Sequence, residues 1–194
     1  MPFGQPLIHK VTLNSTNTFL KHLAGKGVPE GTLVWADSQT GGRGRYGREW
    51  HSPKGNLYAS LLLKPLKRSD ESIPQISLLA GIAMAETLEK VFHRNFPHPQ
   101  IGLKWPNDIY LNRKKCGGLL CEIEPIHRDE PCVIAGLGLN VNCRTFPPAL
   151  SHATSLSAET GKKFDLSHLL LEWCSIFQEL YEIWQREGFA SSQK

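Results

Sequence analysis

The sequence predicts one mixed α/β domain, and three observations support this prediction. A chain of 194 residues with 40% hydrophobic and 21% charged side chains suits one globular domain and excludes a disordered or fibrous chain. Segments with strand-like patterns are interspersed with segments of helical periodicity. The longest apolar stretches are far shorter than a bilayer-spanning helix requires, so no membrane partner is expected. We expect a single domain over residues 1–188 and a C-terminal tail over residues 189–194.

The first half of the chain is predicted to hold three strands and one short helix. Asn14 or Ser15 caps the helix, which ends at the glycines Gly25 and Gly27. A long loop should cover residues 38–56. The predicted strands are residues 7–13, 32–36 and 57–64.

The second half is predicted to hold two long helices and four strands. Ser72-Ile-Pro-Gln75 is a helix-start signal, and the apolar face that follows continues to about His93. Asp165 begins the last helix, which ends at Gly188, and its apolar stripe indicates core packing rather than a dimer seam. The predicted strands are residues 101–105 and 109–111, joined by a tight turn over 106–108, and residues 119–124 and 133–141.

Charge and cysteine content narrow the class of protein further. The formal net charge is only +4, which is too small to argue for nucleic-acid binding without a cluster of positive charges. The N-terminus lacks the features of a secretion signal. Five cysteines without CxxC spacing indicate reduced thiols rather than disulfides or a zinc site. We therefore expect a cytoplasmic protein.

The most unusual segment runs from Gln39 to Trp50, with the sequence QTGGRGRYGREW. Its glycines allow a close backbone approach to a ligand, its arginines suit phosphate or carboxylate, and Trp50 offers a flat face for a base. The segment matches GxGxxG, but the residues after it cannot begin a helix, which excludes the dinucleotide-binding fingerprint. No Walker A loop occurs in the sequence. The segment is therefore predicted to be a flexible loop that closes around an anionic ligand, which we call a clamp.

Three further clusters are weaker signals when each is taken alone. The first is Lys104-Trp-Pro-Asn-Asp108, which could equally be a plain surface turn. In the second, Lys115-Cys-Gly-Gly118, adjacent glycines mark a possible close approach of a ligand to a strand. The third, Gly136-Leu-Gly-Leu-Asn140, is also compatible with simple strand packing.

Taken together with Ser15-Thr-Asn17, these clusters resemble the catalytic domain of biotin protein ligases in both order and separation. The resemblance covers about residues 8–180. It implies a central mixed β-sheet flanked by helices, related to the class II aminoacyl-tRNA synthetase fold. It also implies that biotin and ATP form biotinyl-5′-AMP and pyrophosphate, after which biotin passes to a lysine of a biotin carboxyl carrier protein, such as a subunit of acetyl-CoA carboxylase.

The resemblance implies a role for each residue of the clusters. The residues implied to be catalytic are Lys115, Arg45, Lys104 and Asp108. The residues implied to bind biotin are Ser15, Thr16, Gln39, Gly42, Arg43, Arg45, Lys115 and Gly118. The residues implied to bind ATP or the adenylate are Arg43, Arg45, Arg48, Trp50, Lys104, Asn107 and Asn140. Mg²⁺ is expected with ATP, and Asp108 could either help to hold it or orient the incoming lysine amine.

The sequence differs from many members of that family at its two ends. Few residues precede the first strand, so we expect no N-terminal DNA-binding domain and no DNA partner. The small β-rich C-terminal domain of many relatives is also not expected, and both a monomer and a homodimer stay open. The alternatives are a lipoate or octanoate ligase or transferase of the same scaffold, and a non-catalytic module that binds biotin or nucleotide. The arginine–glycine pattern favours biotin, because the lipoate families resemble a different glycine loop.

Overall fold

The computed structural model describes residues 2–66, 72–93, 99–125 and 131–189. Within these ranges the chain forms seven β-strands and four α-helices. The strands are β1 (Leu7–Leu13), β2 (Leu33–Gln39), β3 (Leu57–Leu63), β4 (Ile101–Lys104), β5 (Asp108–Leu111), β6 (Lys114–Pro125) and β7 (Pro131–Leu139). The helices are α1 (Thr16–Ala24), α2 (Ser72–His93), α3 (Leu156–Thr160) and α4 (Leu166–Glu187).

All seven strands belong to one mixed sheet with the order β1-β2-β3-β7-β6-β5-β4. β1 and β2 are parallel, and every other neighbouring pair is antiparallel. The predicted mixed sheet with flanking helices is therefore confirmed. Since β6 and β7 lie between β3 and β5, they form the middle of the sheet.

The alternation of side chains along the strands separates the two faces of the sheet. On one face, Leu61 of β3 and Ala135 of β7 belong to the main core, together with Trp173 and Phe177 of α4. The Trp173 indole also donates a hydrogen bond to the carbonyl of Ala80 in α2 (3.0 Å). The apolar stripe of α4 therefore packs into the core, as predicted.

The opposite face carries only a small apolar cluster and leaves room for a cavity. Leu20 and Ala24 of α1 pack there on Val34, Leu62 and Ile134. Three of the residues that alternate with the main core in β7 and β6 are glycines, Gly136, Gly138 and Gly118. Because glycines lack side chains, other parts of the chain and a cavity can lie close to the sheet beside α1.

Several boundaries differ from the prediction. β2 extends to Gln39, and β6 begins at Lys114, five residues before the predicted start. Gly117 and Gly118 have low intrinsic strand propensity, but pairing with both β5 and β7 places them in the sheet. The helix α3 and the two 3₁₀ turns, Arg45–Gly47 and Pro148–Leu150, were not predicted. Phe189, assigned to the tail, is partly buried against the core, and residues 190–194 lie outside the described ranges.

Among the described residues, no helix is both long and apolar enough to cross a membrane. All five cysteines are free thiols. Burial raises the pKa of the Cys116 and Cys174 thiols to about 12, so both stay protonated and unreactive at neutral pH.

Candidate active site

A cavity of about 540 Å³ opens on the α1 face of the sheet. Its floor is formed by β6 and β7, and its sides by the start of α1, the β2–β3 loop (residues 40–56, the arginine–glycine loop) and the segment after β7. The predicted site residues that line it are Ser15, Thr16, Gln39, Arg43, Arg45, Arg48, Trp50, Asn107, Asp108, Lys115, Gly118 and Asn140. The structure therefore brings together residues that are up to 125 positions apart in the chain, since Ser15 and Asn140 share one cavity.

The floor of the cavity is a pair of glycines covered by an indole ring. Gly118 of β6 and Gly138 of β7 are opposite each other in the antiparallel register. A Cβ atom on Gly138 would lie 2.6 Å from the Trp50 indole, and one on Gly118 would lie 3.5 Å from it. The absence of side chains at these two positions is thus what lets the ring lie against the sheet.

One wall of the cavity is polar and is built by the start of α1 and the end of β2. Ser15 is the N-cap of α1, and the Thr16 backbone N–H donates to Gln39 Oε1 (2.9 Å). Thr16 Oγ1 lies 3.2 Å from the same Gln39 oxygen. Gln39 Nε2 in turn donates to Ser52 Oγ (3.0 Å). Three residues predicted to bind biotin therefore share one hydrogen-bonded wall.

An ion pair lies at the other side of the cavity. Lys115 Nζ is 2.6 Å from Asp108 Oδ1, and both side chains are about a quarter exposed. The same ammonium group is 5.5 Å from the centre of the Trp50 ring. Asp108 begins β5 and pairs with Gly118 in the register, which explains how the carboxylate reaches the cavity floor. Asp108 thus fixes the position of the Lys115 ammonium group, which is still accessible to a ligand.

The arginine–glycine loop is folded by its own backbone. Gly44 N donates to Arg48 O (2.7 Å), and Trp50 N donates to Gly42 O (2.9 Å). Tyr46 and Gly47 both have φ in the left-handed region, which makes the turn between these bonds tight. Arg43, Arg45 and Arg48, which lie in and beside this turn, all line the cavity.

Gly42 has a packing function in this loop. A Cβ atom there would lie 2.5 Å from Trp50 O and 2.9 Å from Gln39 Nε2, so only glycine fits. Gly42 does not line the cavity in the structure. It allows the loop to lie directly against the polar wall.

Lys104 is the other predicted site residue that does not line the cavity. It lies on the edge strand β4, opposite Asp108 in the register and one strand further from the cavity centre. Its side chain is exposed, with Nζ 5.7 Å from the centre of the Tyr110 ring. The structure therefore separates Lys104 from the other predicted phosphate ligands.

The far wall of the cavity was not predicted from the sequence. It is formed by Phe146, Leu150, His152 and Ala153, in the segment between β7 and α3. Lys115 N donates to His152 O (3.2 Å), and Thr154 N donates to Lys115 O (2.8 Å). Asn140 also holds this segment, because its side-chain amide donates to Thr154 O (3.0 Å). The sequence of this segment has neither helical nor strand periodicity. Its conformation follows from these contacts with β6 and β7.

A second group, to which the sequence analysis assigned no role, consists of Asn17, Lys21 and Glu122, although Asn17 belongs to the Ser15-Thr-Asn17 motif. Asn17 Nδ2 donates to Glu122 Oε2 (2.7 Å), Lys21 Nζ lies 3.0 Å from Glu122 Oε1, and Arg43 Nη2 lies 3.3 Å from Glu122 Oε2. Partial burial by itself raises the pKa of Glu122, but these hydrogen bonds and the two positive charges outweigh it and hold the pKa below its usual value. Glu122 is therefore an ionised anchor between α1 and the arginine–glycine loop.

The arrangement suits the joining of a carboxylate to a phosphate. Lys115 and the three loop arginines supply positive charge for two anions, which would otherwise repel each other. The polar wall can hydrogen-bond a neutral polar head group, and the indole of Trp50 offers a stacking surface for an aromatic base. Within the described residues, no group of three His, Cys, Asp or Glu side chains is placed to hold a metal ion.

Comparison with known proteins agrees with this geometry. The sequence model of the biotin/lipoate A/B protein ligase family matches residues 9–140. The chain is 40% identical over 190 residues to the Bacillus subtilis bifunctional ligase/repressor BirA, covering 96% of this chain and 57% of that protein. It is 30% identical over 185 residues to the biotin–[acetyl-CoA-carboxylase] ligase of Paracoccus denitrificans, covering 91% of this chain and 73% of that protein.

Solved structures extend the agreement to the fold. The structure superimposes on the Aquifex aeolicus biotin protein ligase in complex with biotin and ATP with a TM-score of 0.82 and 36% identity, covering 94% of this chain and 73% of that one. The chain spans a little more than half the length of the BirA proteins it matches. Since the family match covers more than half of the chain and the fold and cavity agree with it, the chain belongs to the biotin/lipoate A/B protein ligase family.

Proposed function

We propose that this chain is a biotin protein ligase, which activates biotin with ATP to biotinyl-5′-AMP and transfers biotin to a lysine of a biotin carboxyl carrier protein. One observation carries the proposal: a single cavity joins the polar wall of Thr16 and Gln39, the Lys115–Asp108 pair and the arginine–glycine loop. The names of the relatives favour biotin over lipoate within the family.

In the first step, a biotin carboxylate oxygen attacks the α-phosphorus of ATP and pyrophosphate leaves. Lys115 would contact the carboxylate, held in place by Asp108 at 2.6 Å. Arg43, Arg45 and Arg48 would offset the charge that develops on the phosphates. Trp50 would stack on adenine. These cations have their largest effect here because the reacting groups are both anions.

The remaining predicted ligands have supporting positions. Ser15, Thr16 and Gln39 would hydrogen-bond the ureido head group of biotin, and Gly118 and Gly42 would give it space. Asn140 would lie on the nucleotide side, beside the wall segment that it holds. Asn107 and Lys104 would serve the phosphates, for which Lys104 has to turn from its exposed position toward the cavity.

In the second step, an unprotonated lysine amine of the carrier attacks the acyl carbon and AMP leaves. The nitrogen loses a proton as the amide bond forms, so a nearby base is useful. Asp108 is the carboxylate beside Lys115, and we assign it the orientation of the incoming amine. Once the biotin carboxylate has become part of the mixed anhydride with AMP, Lys115 no longer offsets its charge and can stay paired with Asp108.

Mg²⁺ would reach the site bound to ATP. The cavity lining contributes two carboxylates, Glu49 and Asp108, and Asp108 is already paired with Lys115. This donor set does not fit a Mg²⁺ site made by the protein alone, because such a site needs several oxygen ligands. The phosphate oxygens would therefore be the main ligands of the ion. We place the whole reaction in the cytoplasm, where the reduced thiols of this chain agree with the compartment.

The direct test uses intact-mass spectrometry of a biotin carboxyl carrier domain. Incubation with this protein, biotin and MgATP should add the mass of one biotinyl group, and a carrier whose target lysine is replaced by arginine should gain nothing. Parallel reactions with lipoate should leave the carrier mass unchanged. A gain with lipoate and none with biotin would replace the proposal by the lipoate alternative, and no gain with either would favour a non-catalytic module.

A further inference from the structure

One apolar surface has no part in the proposed chemistry, and it is formed by Trp105 and Leu103 at the edge of the sheet. Trp105 is 65% exposed and Leu103 is 38% exposed. The other four tryptophans of the chain are buried or half-buried. Leu103 belongs to β4, the last strand in the sheet order, and Trp105 follows that strand directly. Two large apolar side chains are therefore open to solvent at the same end of one edge strand.

A shallow groove continues this surface towards α2. Leu103 packs on that helix, since a Cβ atom on Gly81 would lie 3.6 Å from Leu103 Cδ2. The volume of the groove is only about 10 Å³, whereas pockets for small molecules have about 300 Å³ or more. A shallow apolar surface of this kind suits a protein partner rather than a small ligand. The residues that line it include Ser77, Leu78, Gly81, Leu103, Trp105 and Pro106.

The groove and the cavity share one turn of the chain. Pro106, Asn107 and Asp108 line both of them. The turn is held on β6, because Asn107 Nδ2 donates to Leu119 O (2.7 Å) and Leu119 N donates to Asn107 O (2.9 Å). Trp105 is three positions before Asp108, the carboxylate to which we assign the orientation of the incoming amine. The apolar surface is therefore continuous with the part of the cavity that this amine has to reach.

The second substrate of the proposed reaction is a protein, and this fact identifies the partner. A lysine side chain has a stem of only four carbons, so the surface around the reacting lysine must come close to the cavity rim. Tryptophan is enriched among the residues that supply most of the binding energy at protein interfaces. Tyr46 is another exposed aromatic residue at the cavity, but the Arg45 guanidinium already lies 5.0 Å from the centre of its ring.

We propose that Trp105 and Leu103 form a docking surface for the carrier domain, which binds there while its lysine enters the cavity past Asp108. The inference rests on the proposed function and adds the place at which its protein substrate binds. Because neither side chain takes part in the chemistry, both affect the affinity for the carrier and not the reaction of a small nucleophile.

The test measures transfer to a biotin carboxyl carrier domain at saturating biotin and MgATP, with the carrier concentration varied. Trp105→Ala should raise the KM for the carrier by about tenfold or more, as expected when an interface loses a central aromatic residue. The matched control is Leu171→Ala, because Leu171 is 54% exposed on α4 and lines neither the groove nor the cavity. This control should keep the wild-type KM. An unchanged KM in Trp105→Ala, or an equal rise in both variants, overturns the inference.

Hydroxylamine distinguishes docking from a change in the site itself. It attacks the acyl carbon of enzyme-bound biotinyl-5′-AMP, so that AMP leaves and biotinyl hydroxamate forms without any protein partner. Trp105→Ala should form the hydroxamate and release pyrophosphate at the wild-type rates. Equal losses with hydroxylamine and with the carrier would show that Trp105 shapes the site and would contradict a docking role. If the wild type releases no pyrophosphate with biotin and MgATP, the proposed function itself is wrong.

A second copy of the chain is the other partner that the experiment can detect. If the wild type sediments as a dimer, Trp105→Ala sediments as a monomer and the KM for the carrier is unchanged, the surface joins two copies and the inference is wrong. Circular dichroism checks the fold of each variant. If Trp105→Ala does not fold, Trp105→Gln takes its place with the same expected outcomes.

Discussion

At the residue scale, the ion pair between Lys115 and Asp108 is the contact on which the proposed chemistry depends most. The ammonium group is held at 2.6 Å by a carboxylate that is itself part of the cavity lining. A lysine fixed in this way needs little reorganisation when a second anion arrives. The pair therefore combines a defined position with an available positive charge.

Replacing Lys115 by alanine tests this role. We expect Lys115→Ala to lower the rate of biotin-dependent pyrophosphate release by about 100-fold or more, since it removes a cation that acts on the transition state. Asp108 keeps access to water through the cavity, so the fold should persist, which circular dichroism can check. The neighbouring Lys114 is exposed, and Lys114→Ala should release pyrophosphate at the wild-type rate. An unchanged rate in Lys115→Ala would refute the role of Lys115.

Gly138 offers a second test, because its missing side chain makes room for Trp50. A methyl group there would lie 2.6 Å from the indole and force the ring off the floor. If Trp50 stacks on adenine, Gly138→Ala should raise the KM for ATP by about tenfold, the usual size of a base–aromatic contact. Gly102 has open space around it, so Gly102→Ala should leave the KM unchanged. Equal values for both variants would contradict this use of the indole.

Glu122 makes a pH-dependent contribution to stability. Its pKa in the folded chain is lowered, so its stabilising effect is complete above the pKa of the unfolded chain and is lost as the pH falls through the folded-state value. Glu122→Gln should therefore unfold at lower urea concentration than the wild type near pH 7, and the difference should shrink towards about pH 4. The exposed Glu187 provides the control, and Glu187→Gln should show little difference at either pH. A constant difference for Glu122→Gln would rule out the ion pairs as its cause.

At the element scale, the arginine–glycine loop contacts the sheet on either side of Arg45. Arg43 reaches Glu122 on β6, and Trp50 lies on the glycine floor. Between them, Arg45 contacts Tyr46, with Nη2 3.1 Å from the phenol oxygen, and lines the cavity. Arg45 therefore lines the cavity between two points at which the loop contacts the sheet.

The middle of the loop should therefore control how long the adenylate is retained. Arg45→Gly removes a guanidinium group and adds backbone freedom. We expect preformed, labelled biotinyl-5′-AMP to leave this variant about tenfold faster than the wild type, the effect of losing one charged hydrogen bond. Filter retention over time measures the release. Lys54 is exposed in the same loop and does not line the cavity, so Lys54→Gly should release the adenylate at the wild-type rate. If Arg45→Gly also releases it at that rate, the loop does not retain the adenylate.

Elements with their own periodicity could be predicted from the sequence, whereas those shaped by contacts could not. The bounds of β1 and α2 follow from local patterns and agree with the structure. The start of β6, with its two glycines, and the short helix α3 depend on neighbouring strands and on a hydrogen bond such as Asn140 to Thr154. The same distinction applies to the site, since Glu122 resembles any other strand residue until Asn17 of α1 and Arg43 of the loop contact it.

At the scale of the whole molecule, the strand order places two halves of the chain around one cavity. α1, β2 and the arginine–glycine loop come from the first half, and β5, β6 and β7 come from the second. The opposite face of the sheet is covered by α2 and α4, whose apolar residues belong to the main core. A ligand in the cavity consequently contacts both halves and opposes their separation.

This arrangement predicts that ligand binding stabilises the entire domain. At a biotin concentration of 100 times its Kd, binding adds about 2.7 kcal/mol to the free energy of unfolding. For a domain of this size, that corresponds to a rise in Tm of about 5–10 °C, which differential scanning fluorimetry can measure. Biotin with MgATP should raise the Tm further, because the adenylate would contact the polar wall and the loop arginines together. Lipoate at the same concentration is the matched ligand and should leave the Tm unchanged, since it lacks the ureido group that the polar wall would bind. A rise with lipoate and none with biotin would show that the cavity is built for the other substrate of the family.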